Sequence, residues 1–349
     1  MGGGSWNVGS YTAKVNAATA AGRSTFDYDD QVRAGKVSKV HALLDPTATA
    51  GPTSPFAGRV MREVCVTDEH PDPTAILIWL DVTGSNIDAA KVVHGKLPAL
   101  QAYLRDGKFC ADPQINVSAV GDANSDRYPL QFGQYESDNR LDDQIAALIL
   151  EGGGGGQMSE TYELGAYMAA RHVYLEPHEL FGKKGFVFFI GDEMPYDVVK
   201  DDYTRGHYYG GGHTLTSLTG DEIGEPISAK AVFAELMEKN HVFFLFQKQG
   251  AYQPGSIVPA WERLIGRENV VMLDQPEMVV EVIAALIARF EGELSEDETA
   301  RAMIAAGGNP AVVTSAVKAL ARVTSSGGSG TVATTSGRLD LGGTGADRL

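Results

Sequence analysis

Cysteine is nearly absent. Two residues in 349, Cys65 and Cys110, cannot build a disulfide framework, and neither belongs to a C-x-x-C pair. That excludes a stapled secreted scaffold and a dithiol redox motif, and a reducing, cytoplasmic setting is expected. Long apolar runs are missing too: none approaches the ~20 residues needed to span a bilayer. The opening M-G-G-G-S-W lacks a basic segment followed by an apolar one, so no signal peptide is read. Trp6 stands where a myristoylation motif wants Ser or Thr. Positive charge is scarce, with 29 Lys plus Arg against 45 Asp plus Glu and a net charge of -16. Such a surface repels nucleic acid phosphate and anionic membranes, so neither is expected as a partner, whereas metal cations or a basic protein suit it. Also missing are G-x-S-x-G, a Cys–His signature, H-E-x-x-H, and a Gly-Lys-Ser/Thr after the glycine run. The common nucleophile–base pairs, zinc-protease helices and phosphate loops are therefore not read.

What is present begins with A-I-L-I-W-L-D-V-T-G-S-N at residues 75–86. Residues 75–80 are apolar on both alternating faces, which predicts a central parallel strand buried on two sides. The strand ends in Asp81, and Thr83, Gly84 and Ser85 follow before a helical pattern opens at Ile87. This places a carboxylate and two hydroxyls at the C-terminal edge of a sheet, where open α/β folds bind ligands. Carboxylate and hydroxyl oxygens are hard donors, suited to Mg²⁺, Mn²⁺ or Ca²⁺.

The hydrophobic content of 43% supports one large α/β domain with flanking segments. Residues 1–58 are rich in small residues and form an N-terminal arm, partly ordered. Residues 59–67 alternate like a strand. Apolar spacing predicts a helix over 87–104, then a strand over 115–121 and a second over 130–136 in an antiparallel hairpin. A helix over 141–150 precedes five glycines, 152–156, lying between two helices, where backbone must approach something closely. Ser159 is read as the cap of the next helix. Buried strands follow at 185–190 and 241–247, the first ending in Gly191, Asp192 and Glu193, with helices at 227–239 and 258–265. A short strand at 270–273 and an apolar helix at 276–290 complete a doubly wound sheet. Residues 294–323 read as a helical extension and 324–349 as a disordered tail.

D-V-T-G-S resembles the D-x-S/T-x-S signature of the von Willebrand factor A (vWA) family at its metal-ion-dependent adhesion site. The match runs further, to an uncharacterised bacterial and phage-like branch. It takes in Glu69-His70-Pro71, Gly121-Asp122 with Asp126-Arg127, Pro129-Leu130-Gln131, Gln134 with Glu136-Ser137-Asp138, the 151–156 segment, Glu160-Thr161-Tyr162 and 190–193. The resemblance covers roughly residues 59–293. It implies a doubly wound, mostly parallel six-stranded Rossmann-like sheet with one antiparallel edge strand. It also implies three loops meeting at a divalent cation: Asp81, Thr83 and Ser85 from the first, Ser159, Glu160 and Thr161 from the second, and Asp192 from the third. Gln157 stands where many relatives carry Asp, which weakens the site unless Glu160 fills the role.

The family further implies a protein-binding adaptor without enzymatic activity, in which the cation bridges to a partner's carboxylate. A MoxR-type AAA+ ATPase is the partner class to expect. Two other classes remain open: a structural or assembly protein of a phage or mobile element, and a metal-assisted hydrolase using Asp81, Asp192 and Glu193. Among side features, Asp122 and Asp126 suit a second cation or a turn. His207 and His213 offer a zinc alternative with Asp201 or Asp202. Tyr208 and Tyr209 would anchor an interface.

Overall fold

The structure is a computed structural model that describes residues 4–152, 158–204, 212–248, 250 and 252–323. The tail at 324–349, Gln157, and the loop residues His207, Tyr208 and Tyr209 lie outside the described residues.

Six strands make the main sheet among the described residues: β1 (Thr74–Asp81), β2 (Pro113–Val120), β3 (Leu130–Gln131), β4 (Gly185–Gly191), β5 (Asn240–Gln247) and β6 (Val270–Leu273). Their order is β6-β5-β4-β1-β2-β3, and only the edge pair β2–β3 is antiparallel. This is a mixed α/β fold with a six-stranded, mostly parallel sheet flanked by helices. The central strand β1 explains the arrangement. Ile76, Ile78 and Leu80 face one hydrophobic core, and Ala75, Leu77 and Trp79 face another. Successive side chains leave a strand on opposite faces, so an unbroken apolar run must be covered twice. Each Ile or Leu among them contributes roughly 1.5–3 kcal/mol when buried.

Helices α3 (Ile87–Gly95) and α4 (Leu97–Arg105) cover the first face, with α11 (Val279–Phe290), α12 (Glu296–Ala305) and α13 (Pro310–Ala319). Helices α6 (Tyr162–Arg171), α9 (Ala229–Lys239) and α10 (Pro254–Ile265) cover the second. Gly165 lets α6 approach closely: a Cβ there would lie 3.0 Å from Val120 Cγ1 and 3.3 Å from Phe189 Cε1. The remaining helices are α1 (Val8–Ala20), α2 (Asp27–Arg33), α5 (Arg140–Ala146), α7 (Glu176–Phe181) and α8 (Leu215–Thr219). No described helix is long and apolar enough to cross a membrane.

Several expectations change. The helix expected over 87–104 is two helices, because Pro98 sits in the first turn of α4. Proline has no N–H and clashes with the carbonyl four residues earlier, so the first helix ends before it. The strand expected over 130–136 shortens to Leu130–Gln131 plus an isolated Ile115–Glu136 bridge. The Gly133 backbone binds side chains instead of a neighbouring strand: its N–H donates to Ser118 Oγ and its carbonyl accepts from Asn116 and Arg62. Residues Arg62–Val64 pair with Val173–Leu175, outside the main sheet.

The N-terminal arm is docked through polar anchors. Trp6 Nε1 donates to Asp142 Oδ1 at 2.7 Å, and the Tyr11 hydroxyl donates to the carbonyl of His94 at 3.0 Å. Asp29 Oδ1 accepts from Leu150 N at 3.0 Å, and Arg33 Nη2 donates to the carbonyl of the same Leu150. Phe132 N donates to Leu44 O at 2.8 Å, so the arm covers the sheet beside β3. Arg62, buried with no carboxylate in ion-pair reach among the described residues, donates to the carbonyls of Asp45, Ala48, Phe132 and Gly133. Its desolvation pulls its pKa down to about 10.

Candidate metal centre

β1 and β4 are adjacent and parallel, so Asp81 and Asp192 leave the sheet side by side at its C-terminal edge. Asp81 is fully buried. Its Oδ1 accepts from Thr83 N at 2.9 Å and from Thr83 Oγ1 at 2.7 Å. Its Oδ2 accepts from Tyr162 OH and from Asn86 Nδ2, both at 2.8 Å. The same Asn86 Nδ2 donates to Asp192 Oδ1 at 2.5 Å, and Asp192 Oδ2 accepts from Tyr252 N at 3.1 Å. Thr83 Oγ1 also lies 3.1 Å from Glu160 Oε1. Three separate segments are thus joined through Asp192, Asn86, Asp81, Thr83 and Glu160.

Glycines make room for this chain of contacts. A Cβ on Gly191 would fall 1.9 Å from Tyr162 OH, and one on Gly250 would fall 2.0 Å from Asp192 Oδ2. Small residues at these two places are what allow the phenol and the carboxylate their positions.

The electrostatics are those of crowded acids in a desolvated place. Burial, opposed by hydrogen bonds from Thr83 and Tyr162, lifts Asp81 to about 6, and the charge of Asp192 adds to the rise. Glu160 is pushed well above the usual carboxylate range, first by burial and then by Asp81 and Glu193. Glu193 rises to about 8 by burial and the Asp81 charge, tempered by its hydrogen bond with Glu160. Glu160 Oε2 and Glu193 Oε2 find no ordinary donor among the described residues. Burial and the neighbouring carboxylates thus hold both glutamates toward their neutral forms.

Asp81, Thr83, Glu160 and Asp192 are therefore brought together. Ser85 has its backbone in the 3-10 turn Gly84–Asn86, and its side chain lies outside what the structure describes. Ser159 is not a helix cap: it pairs with Met194 in a two-residue strand, Ser159–Glu160, and α6 begins only at Tyr162. The Thr161 hydroxyl turns the other way, donating to Gly121 O at 2.5 Å. Asn86 and Tyr162 are members that sequence reasoning did not single out. Each merely adjoined a motif, and nothing local signals that they reach Asp81. No group of three or more His, Cys, Asp or Glu side chains is already gathered as a ligand set among the described residues. The donors present are hard oxygens, and Asn86 Oδ1 is buried without a partner.

The side candidates resolve into local structure. Asp122 Oδ1 accepts from Asn124 N at 2.9 Å and Asp126 Oδ2 from Asp122 N at 2.7 Å, a turn closed by its own side chains. His213 Nε2 contacts Asp126 O at 2.9 Å, and Asp201 accepts from Ile223 N and Gly224 N.

No family model matches the chain, and no curated protein matches it. Among solved structures, it is similar to proximal thread matrix protein 1 from the mussel byssus, with a TM-score of 0.37 and 10% identity over 61% of this chain and 48% of that one. It is also similar to the pilus adhesin SpaC from Lactobacillus rhamnosus GG, with a TM-score of 0.41 and 11% identity over 66% of this chain and 32% of that one. The chain spans about half or less of the length of these structures, and at these values neither likeness informs the site.

Proposed function

We propose that the chain is a cation-dependent protein-binding module of vWA type, working as an adaptor in the cytoplasm. The observation that carries this reading is the hydrogen-bonded assembly of Asp81, Thr83, Asn86, Glu160 and Asp192 from three segments at the C-terminal edge of the sheet. Asp81, Thr83, Asp192 and Glu160 are the residues that would hold the ion, with Ser85 from the same turn. Hard oxygen donors favour Mg²⁺, with Mn²⁺ or Ca²⁺ as substitutes. When bound, the ion would supply positive charge and open coordination positions for a partner's Asp or Glu side chain.

Charge bookkeeping supports that role. With Glu160 and Glu193 held toward their neutral forms, Asp81 and Asp192 would carry most of the negative charge facing a divalent ion, which leaves room for a carboxylate from outside. Tyr162 orients Asp81, Tyr252 N fixes Asp192, and Thr83 ties Asp81 to Glu160. Two free cysteines, one buried and one half-buried, suit a reducing compartment. A MoxR-type AAA+ ATPase is the partner class the family resemblance suggests.

The test is a pull-down from source-cell lysate in Mg²⁺ or EDTA, with Asp81→Ala as control bait. A partner retained by wild type in Mg²⁺, and lost in EDTA or with Asp81→Ala, supports the reading. Equal retention under all conditions refutes it.

A further inference from the structure

The Asn86 amide does something unusual for its place. Asparagine at the start of a helix normally caps it, but Asn86, which precedes α3, makes no side-chain cap bond. Its backbone N–H is already spent on Thr83 O at 2.9 Å. The side chain instead points its NH₂ group between two carboxylates, 2.8 Å from Asp81 Oδ2 and 2.5 Å from Asp192 Oδ1. Two acceptors on that side fix which end of the amide is nitrogen. The other end suffers for it: Asn86 Oδ1 is buried, with the residue 1% exposed, and has no hydrogen-bond partner among the described residues. A buried acceptor left unmade is expensive. The orientation is therefore set by the field of Asp81 and Asp192, which selects the positive end of the amide dipole. The space between those oxygens is a place for positive charge.

We propose that the Asn86 NH₂ group stands in for the divalent cation, so that binding is an exchange in which the ion expels the amide from between Asp81 and Asp192. This rests on the cation-binding reading above and adds a competitor built into the chain. Without it, the two carboxylates would lose the one donor they share whenever the ion was away. With it, the ion-free state is held together, and the ion must displace two charge-assisted hydrogen bonds to enter. Because Asn86 directly precedes α3, the exchange also reports ion occupancy to the helix that packs on the first core.

Full-length protein, the Asn86→Ala variant and the Asp81→Asn variant would be titrated with Mn²⁺, free ion being read by electron paramagnetic resonance. Removing the competitor should tighten Mn²⁺ binding about tenfold, equivalent to about 1.4 kcal/mol. Equal or weaker binding by Asn86→Ala, with Asp81→Asn still abolishing it, overturns the exchange while leaving the cation site standing. Absence of any Asp81-dependent Mn²⁺ binding in both wild type and Asn86→Ala overturns the cation reading and the exchange with it. Should Asn86→Ala fail to fold, wild-type ¹H–¹⁵N spectra decide. The Asn86 NH₂ resonances should move on addition of Mg²⁺, and unmoved resonances in protein that binds Mg²⁺ refute the exchange.

Discussion

Gly191→Ala should be among the most damaging single-methyl additions in the molecule, and Tyr162→Phe should relieve it. A Cβ at residue 191 would lie 1.9 Å from Tyr162 OH and 3.1 Å from Asp81 Cβ. Tyr162 cannot step aside easily: it is fully buried, and its ring packs against Trp261 at 5.2 Å between centroids. Overpacking of this kind costs about 1–3 kcal/mol. Forcing the phenol from Asp81 loses a hydrogen bond to a charged group, about 1.5–3 kcal/mol more. The single variant should therefore lose about 3–5 kcal/mol, a large part of the ~5–15 kcal/mol that holds a domain folded. Tyr162→Phe alone loses the same bond, about 1.5–3 kcal/mol, and keeps the ring. In the double variant the oxygen that clashes is gone, and the nearest atom becomes Cζ at 3.0 Å. The double variant should be more stable than Gly191→Ala alone, with a coupling of about 2–3 kcal/mol. Urea unfolding of the four proteins, followed by circular dichroism, measures the cycle. If the two losses simply add, Gly191 is not there to admit the phenol.

Three further outcomes are expected. His94 is buried against the rings of Tyr11 and Phe26, and burial holds it at about 4 against an ordinary 6.5. A lowered folded-state pKa means the unfolded chain takes up the proton first. Stability is thus intact above 6.5 and falls as pH drops from 6.5 toward 4, by at most about 3 kcal/mol; urea midpoints at pH 7 and pH 5 should show a drop that His94→Gln reduces. Arg62→Lys should destabilise by at least about 3 kcal/mol in thermal unfolding, because one ammonium cannot span four carbonyls fixed for a guanidinium fork and each orphaned carbonyl costs about 1–3 kcal/mol. Asp29→Ala should speed amide exchange at Leu150 tenfold or more, while Asp27→Ala, on an exposed pair with Arg23, should leave it unchanged.

Much of the sheet was legible because its inner strands are apolar on both faces. Runs such as 75–80 and 241–247 allow little else, and the strand at Val270–Leu273 falls where the sequence places it. What escaped was decided by distant partners. Residues 130–136 have strand composition, but Gly133 is claimed by Arg62, 71 positions away. The helices of the arm escaped because only scattered residues such as Tyr11, Phe26 and Leu44 reach the core and other anchors are polar, such as Trp6 on Asp142. At the site, the Asp-x-Thr turn was readable because its bonds span two residues. Tyr162 on Asp81 was not, since 81 residues and the close approach at Gly191 intervene.

The N-terminal arm also fixes an order of events during synthesis. Its anchoring sites lie well downstream: Leu44 meets Phe132, Trp6 meets Asp142 and Asp29 meets Leu150. The last of these contacts waits for 121 further residues. At roughly 5–20 residues per second, a nascent chain spends on the order of ten seconds between the translation of α2 and that of its anchor at Leu150. Slower codons between residues 44 and 150 would lengthen that interval, and a chaperone that shields Trp6 and Tyr11 would matter most within it.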